Sequence, residues 1–330
     1  MSLRPRAPSA FRIAAPRPVP ARPPAEARVA APAPGAPLPL SSALRPLPVQ
    51  TAQGLRLAFA APGTAPNAAG AGPRVLAFHG GGGDARRFAG RARLHEALQG
   101  QVERVVYAQA AGHWADGRKE LEAGWSADLA LVAALAGSES GTGAGAPLCL
   151  AGASNGGMFA LRLACALASP PAAVVAVSAA MPADLAARVP QGAPVPLMLV
   201  QWAEDPLIPW AGGPVAQRGA AGLGLRGRVL GAEDTIAFWR ARNRCAGAPR
   251  HRQARISGQR AEIHAWTGGA GGADLWRVVL QGSGHGWPPR APGAGLAGSL
   301  EQMAARFLIW FSQKDRPGSA GGQGVSHDDI

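Results

Sequence analysis

Cysteine is nearly absent. The 330 residues hold three, Cys149, Cys165 and Cys245, an odd number at irregular spacing that supports neither a disulfide framework nor a metal site. Such scarcity favours a reducing compartment, so a cytoplasmic location is the plainer expectation. Long apolar runs are missing too: no stretch approaches the roughly 20 residues of a membrane-spanning helix, although 47% hydrophobic residues suffice for a substantial core. Lysine stands only at 119 and 314, so the net charge of +13 is carried by arginine in a chain dominated by Ala, Gly, Pro and Arg. A GC-rich coding bias accounts for that composition. The excess charge gathers in the first 50 residues and between Arg240 and Arg260, a stretch without an acid. Aromatics are only 5% of the chain; neither basic region is interleaved with them or carries a nucleic-acid motif. A solvated basic surface is expected, with no nucleic-acid partner. Prolines at 16, 18, 20, 23 and 24 interrupt the place where the apolar core of an export signal would lie. An Arg-rich, acid-poor leader remains compatible with other targeting.

What is present divides into three parts. Residues 1–50 are rich in Pro, Ala and Arg and bury too little apolar surface to offset the entropy of ordering, which predicts a disordered leader. Residues 314–330, with Gly318, Gly321, Gly322 and Gly324, predict a flexible tail. Between them, 51–313 alternate short apolar runs with longer amphipathic ones, the pattern of a parallel sheet with helices on both faces. Strands are predicted at 54–60, 74–78, 104–108, 147–152, 172–178, 195–201 and 274–280. Helices are predicted at about 126–136, 156–168, 232–243 and 298–312; the last gathers Leu300, Met303, Phe307, Ile309 and Trp310 largely on one side.

The chemistry-bearing motif is Gly152-Ala153-Ser154-Asn155-Gly156. It follows the apolar strand Pro147-Leu148-Cys149-Leu150-Ala151 and precedes a helical run, the setting of a nucleophile elbow that lifts a serine hydroxyl clear of a sheet. In a chain with 45 glycines the pentapeptide alone says little; its strand and helix give it weight. A serine hydroxyl needs a base, and the α/β-hydrolase order predicts a histidine near the C-terminus with an acid between the two. His285, in Gly282-Ser283-Gly284-His285-Gly286-Trp287-Pro288, follows the last predicted strand. His95, His113, His251 and His264 lack that position, and His327 lies in the tail; most of them read as surface residues. Asp205 is the candidate acid, following the strand at 195–201; Asp184, one strand earlier, and Glu204 are alternatives. The turn His79-Gly80-Gly81-Gly82-Gly83-Asp84 follows strand 74–78, and its backbone N–H groups, with that of Asn155, fit an oxyanion site. A P-loop is excluded by the missing Lys-Ser/Thr. His79 itself reads as structural.

With these residues in view, the chain resembles the polyhydroxybutyrate depolymerase and feruloyl esterase-like family of α/β-hydrolases. The likeness rests on HGGGGD at 79–84, WADGR at 114–118, Ser154-Asn155-Gly156-Gly157-Met158, LRLAC at 161–165, Asp205-Pro206-Leu207-Ile208-Pro209 followed by Gly212-Gly213, and Gly284-His285-Gly286-Trp287-Pro288. These run in the family's order over about residues 70–290. The resemblance implies a Ser154, Asp205, His285 triad, with Gly80, Gly81 and Asn155 near the oxyanion and Trp114, Asp116 and Trp287 near the site entrance. It implies ester hydrolysis through an acyl-enzyme, needing no metal or organic cofactor, on a small or oligomeric ester. Family members can use a cysteine like Cys245 in a disulfide, but no cysteine follows it here, and Trp210 stands where tyrosine is common. Those departures speak against an extracellular polymer-degrading role. Peptide or thioester hydrolysis, and a catalytically silent binding protein on the same fold, are the alternatives.

Overall fold

The structure is a computed structural model that describes residues 44–61, 72–137, 146–189, 192–219, 222–290 and 293–313. The predicted tail and residues 1–43 of the predicted leader lie outside them. The order of elements is β1 (Arg45–Thr51), β2 (Gly54–Ala60), β3 (Arg74–Phe78), α1 (Ala85–Ala92), α2 (Leu94–Ala97), β4 (Arg104–Ala108), α3 (Trp125–Gly137), β5 (Leu148–Ala153), α4 (Asn155–Ala166), β6 (Ala173–Val177), α5 (Ala183–Arg188), β7 (Leu197–Glu204), β8 (Gly213–Gly219), β9 (Gly222–Val229), α6 (Ala232–Asn243), β10 (Arg250–Ile256), β11 (Gln259–Trp266), β12 (Leu275–Ser283) and α7 (Leu300–Gln313).

Among the described residues ten strands form one sheet in the order β1-β2-β4-β3-β5-β6-β7-β12-β11-β10. The run from β4 to β12 is parallel, and antiparallel strands close both edges. The crossover by which β4 pairs outside β3, the antiparallel β2, and helices on both faces make this the α/β-hydrolase fold. The central strands β5 and β6 are apolar at every position because both faces are covered. Val75 and Ala77 of β3 point into a core shared with α1, α2 and α7. Leu76 and Phe78 point the other way, into a core shared with α3, α4, α5 and α6.

Two edge features were not anticipated. β1 begins at Arg45, so the fold starts inside the segment that composition assigned to the leader. Pro46 and Pro48 pair with Phe59 and Leu57 of β2; their period-two spacing on an edge strand leaves both missing N–H groups on the open side, where the ladder does not need them. The later part of the basic stretch, from Arg250, is a hairpin, β10–β11, turned by Ser257 (φ 49°) and Gly258 (φ 82°). Two consecutive positive φ values suit the twist of a two-residue hairpin loop. Its inward row, Ala261, Ile263 and Ala265, is buried, while the charged residues of β10 are mostly exposed.

Four functional candidates follow the C-terminal ends of parallel strands: His79 after β3, Ser154 after β5, Asp205 after β7 and His285 after β12. Loops at those ends converge on one crevice, the general ligand position in open α/β sheets. Beneath it, Phe159 of α4 stacks on Trp114 (4.9 Å, 14°) and meets Phe78 edge-on at 5.1 Å. Phe159→Ala is expected to cost about 3–5 kcal/mol of unfolding free energy, measured by urea denaturation; a loss under about 1 kcal/mol would contradict this packing.

Candidate active site

Ser154 stands at φ 55°, ψ −124°, between β5 and α4. Its N–H donates to Val177 O (2.8 Å) and its carbonyl accepts from Met158 N–H (2.9 Å), so sheet and helix each hold one side of the residue. The turn is possible because glycine occupies both flanks: a Cβ on Gly156 would strike the carbonyl oxygens of Phe78 and His79, and one on Gly152 would strike the carbonyl of Gly156.

The structure brings Ser154, His285 and Asp205 together. His285 Nε2 lies 2.9 Å from Ser154 Oγ, and Nδ1 lies 2.9 Å from both carboxylate oxygens of Asp205. With Nδ1–H donated to Asp205, the Nε2 lone pair faces the serine O–H. The Asp205 side chain is 4% exposed, and Oδ1 also accepts the N–H groups of Leu207 (2.8 Å) and Ile208 (3.0 Å). These donors fix the carboxylate and offset its desolvation. The alternative acids lie elsewhere: Asp184 is exposed and accepts Lys119 N–H at 3.1 Å, and Glu204 is exposed at the end of β7.

The histidine loop is held from below. Ser178 Oγ accepts Gly286 N–H (2.8 Å), and Trp202 Nε1–H donates to Gly286 O (3.1 Å). The Trp202 indole lies so close to Gly284 that a Cβ there would sit 2.5 Å from it. Neither Ser178 nor Trp202 stood out in the sequence.

Gly80 packs against the serine, 3.5 Å from its Cβ to Ser154 Cβ if a methyl is built there. Among the described residues, no group accepts a hydrogen bond from the backbone N–H of Gly80, Gly81 or Asn155. His79 holds the turn in shape: Nδ1–H donates to Gly80 O (2.7 Å), and Nε2 accepts from Ala110 N–H (3.1 Å). Burial pushes its pKa down, partly countered by the Gly80 hydrogen bond, which favours the neutral form that the Ala110 bond needs.

Asn155 anchors the elbow through its side chain. Oδ1 accepts Trp114 N–H (2.8 Å), while Nδ2–H donates to Trp114 O (2.9 Å) and to Asp116 Oδ2 (2.7 Å). Asp116 in turn pairs with Arg118, Nη2 to Oδ2 at 2.6 Å, with both side chains buried. Trp114 and Asp116 were expected near the entrance; the structure corrects this. Trp114 is fully buried on Phe159 with Nε1–H donated to His79 O (2.9 Å), and Asp116 is fully buried as the counter-ion of Arg118. An indole stacked in the core and a carboxylate whose charge is spent internally both belong under the site. Trp287, also buried, does line the crevice and meets Phe88 edge-on at 6.1 Å.

The crevice has a volume of ≈ 580 Å³ and is lined by residues that include Ser154, His285, Met158, Leu207 and Val215. His113 belongs to it as well, a correction for a histidine grouped with mostly surface residues: its ring packs on Gly81 so tightly that a Cβ there would lie 2.5 Å from Cδ2. Its pKa is lowered by burial and then by Arg226 and Arg118. The clue was its place, next to the WADGR segment in the loop facing the glycine turn. One group of side chains among the described residues could hold a metal ion: His251, Glu262 and His264 on the β10–β11 hairpin, with ligand atoms within 4.8 Å of one another. None of the three lines the crevice. No described helix is long and apolar enough to cross a membrane.

No family model matches the chain, and no curated protein matches it. Similar solved structures include an acetyl xylan esterase from Aspergillus awamori, 14% identical over 74% of this chain and 95% of that one, with a TM-score of 0.47. The esterase PE8 is 18% identical over 74% and 94%, with a TM-score of 0.41. A thermostable esterase is 13% identical over 52% of this chain, with a TM-score of 0.41, and the match spans 49% of its length. Likeness at this level concerns the course of the chain and says nothing of substrate.

Asp116→Ala leaves Arg118 buried without its counter-ion, which is expected to cost about 3–5 kcal/mol in urea unfolding. Removing both charges together, as in an Asp116→Asn, Arg118→Met pair, is expected to cost less than the single change. A single substitution that is nearly neutral would contradict the pairing.

Proposed function

We propose that the protein is a serine esterase that hydrolyses carboxylic esters through an acyl-enzyme. The observation that carries this reading is the unbroken hydrogen-bonded line from Asp205 through His285 to Ser154 Oγ. Ser154 Oγ attacks the ester carbonyl as His285 Nε2 takes its proton, and Asp205 stabilises the imidazolium that forms. The carbonyl oxygen becomes an oxyanion beside the N–H groups of Gly81 and Asn155, with Gly80 adjacent. One such donor is worth roughly 3 kcal/mol in the transition state. Because these N–H groups have no acceptor among the described residues, they need not break a bond to receive the charge. His285 then gives its proton to the leaving alcohol, and a water activated by the same ring releases the acid.

Within this class, the ordered motifs from residue 79 to residue 288 support a polyhydroxybutyrate depolymerase or feruloyl esterase-like enzyme. Peptide or thioester hydrolysis would use the same residues in the same roles. A panel of 3-hydroxybutyrate oligomers, feruloyl esters, acetylated sugars and short-chain esters separates these substrates.

The triad assignment has a direct kinetic test with 4-nitrophenyl acetate. Ser154→Ala is expected to lower kcat by about 10⁶-fold and Asp205→Asn by about 10⁴-fold, through the wrong imidazole tautomer. Asp184→Asn is expected to change it little. If Asp184→Asn is the crippled variant, the acid is misassigned; if Ser154→Ala retains activity, the nucleophile is.

A further inference from the structure

The charged residues of the crevice are mainly cationic. Arg87, Arg91, Arg118 and Arg226 line it, with Asp84 as the one carboxylate among the lining residues. Asp84 Oδ1 is engaged in capping α1, accepting Arg87 N–H at 2.9 Å. Arg118 is neutralised by Asp116. For Arg87, Arg91 and Arg226, no carboxylate partner is present among the described residues.

Their placement is specific. Arg87 and Arg91 are four residues apart on α1, so they lie on the same helix face one turn apart, where like charges repel. Arg91 is half-buried, and its Nε–H donates to Trp287 O at 2.9 Å, which ties the guanidinium to the loop that carries His285. Burial lowers its pKa, with no carboxylate to counter the effect. Arg226 comes from β9 and lines the same crevice. Its carbonyl is fixed by Arg118 Nη1–H at 2.7 Å, and its charge acts on His113, the ring packed on Gly81. Arg91 is therefore tied to the histidine loop, Arg226 lies near the ring packed on the oxyanion turn, and both line the crevice that holds Ser154. Arg91 is the half-buried one and gains most when an anion arrives, whereas Arg87 is exposed and Arg226 partly exposed; the planar fork of each matches a carboxylate.

We infer that the crevice selects esters that carry a free carboxylate, held by Arg87 and Arg91 of α1 or by Arg226 of β9. This rests on the esterase reading for its chemistry, but the anion subsite is separable from it. The carboxylate takes no part in bond making. It replaces water around the guanidinium groups and fixes the scissile carbonyl over Ser154 Oγ, so the gain appears mainly in KM.

Two substrate pairs test which part of the ester bears the charge. Monomethyl adipate against dimethyl adipate carries it on the acyl side; 4-acetoxybenzoate against methyl 4-acetoxybenzoate carries it on the alcohol side. At low salt, one charged ester of the two pairs is expected to exceed its neutral counterpart by about tenfold or more in kcat/KM. The ratio should fall toward one in 0.5 M NaCl. Arg87→Gln, Arg91→Gln or Arg226→Gln should reduce it about tenfold, and the corresponding Lys variants should restore part of it. The element whose Gln variants collapse the ratio identifies the subsite. Equal rates for charged and neutral esters, or a ratio that no arginine variant alters, overturn the inference while leaving the esterase intact. A separate readout covers failure of the chemistry: calorimetric binding of 4-hydroxybenzoate and adipate to Ser154→Ala, with their methyl esters as controls. Arginine-dependent binding of either anion without turnover of any ester would sustain the subsite and sink the esterase; no such binding and no turnover sinks both.

Discussion

Ser154 is held at φ 55° and ψ −124°, a backbone conformation that costs a non-glycine residue about 1–3 kcal/mol, and the surrounding structure is arranged to impose it. β5 must end and α4 begin within one residue, so the chain passes under the β3 loop with no room for side chains at Gly152 or Gly156. The sheet takes the Ser154 N–H and the helix takes its carbonyl. What remains is a hydroxyl projecting from a fixed point above the sheet, with a helix N-terminus beneath it that favours developing negative charge. The positions of His285 and Asp205 have meaning only relative to that point.

A second layer of contacts stiffens the parts that surround it. The Asn155 side chain is bonded on one edge to both polar groups of the Trp114 backbone and on the other to Asp116, so the residue that offers an N–H beside the serine cannot rotate freely. His79 does the same for the glycine turn, and Ser178 with Trp202 for the histidine loop. Each of these polar groups is buried and satisfied, and such networks fix one arrangement in place of several. Arg118 carries the network outward: it pairs with Asp116 inside and holds the carbonyl of Arg226 at the crevice wall.

Much of this was legible in the sequence. Strands β2 to β7 and β12 are short apolar runs bounded by turn residues, and their predicted limits fall within a few residues of the observed ones. The elbow, the glycine turn and the two loops bearing Asp205 and His285 were readable because their chemistry is local: small residues at fixed offsets after a strand. What failed was whatever depended on a distant neighbour. β1 reads as leader because its prolines are tolerated only on an edge strand, and β10 reads as a basic segment because its charged side chains face water on a hairpin one row deep in apolar residues. Trp114 and Asp116 carry the right motif, but burial is a property of the three-dimensional surroundings. His113 and the arginines of α1 and β9 gain their significance only when three separate loops meet over Ser154. Asp205 and Asp184 follow successive strands and are alike in sequence; hydrogen-bond distance separates them.

The central claim is that Ser154 is an activated nucleophile in the folded protein. Its most direct test is treatment of the native full-length chain with a fluorophosphonate, followed by peptide mapping by mass spectrometry. The account predicts a single stoichiometric adduct on Ser154 that is lost when the protein is first unfolded in urea. A folded protein that acquires no adduct, or acquires it on another serine, would contradict it.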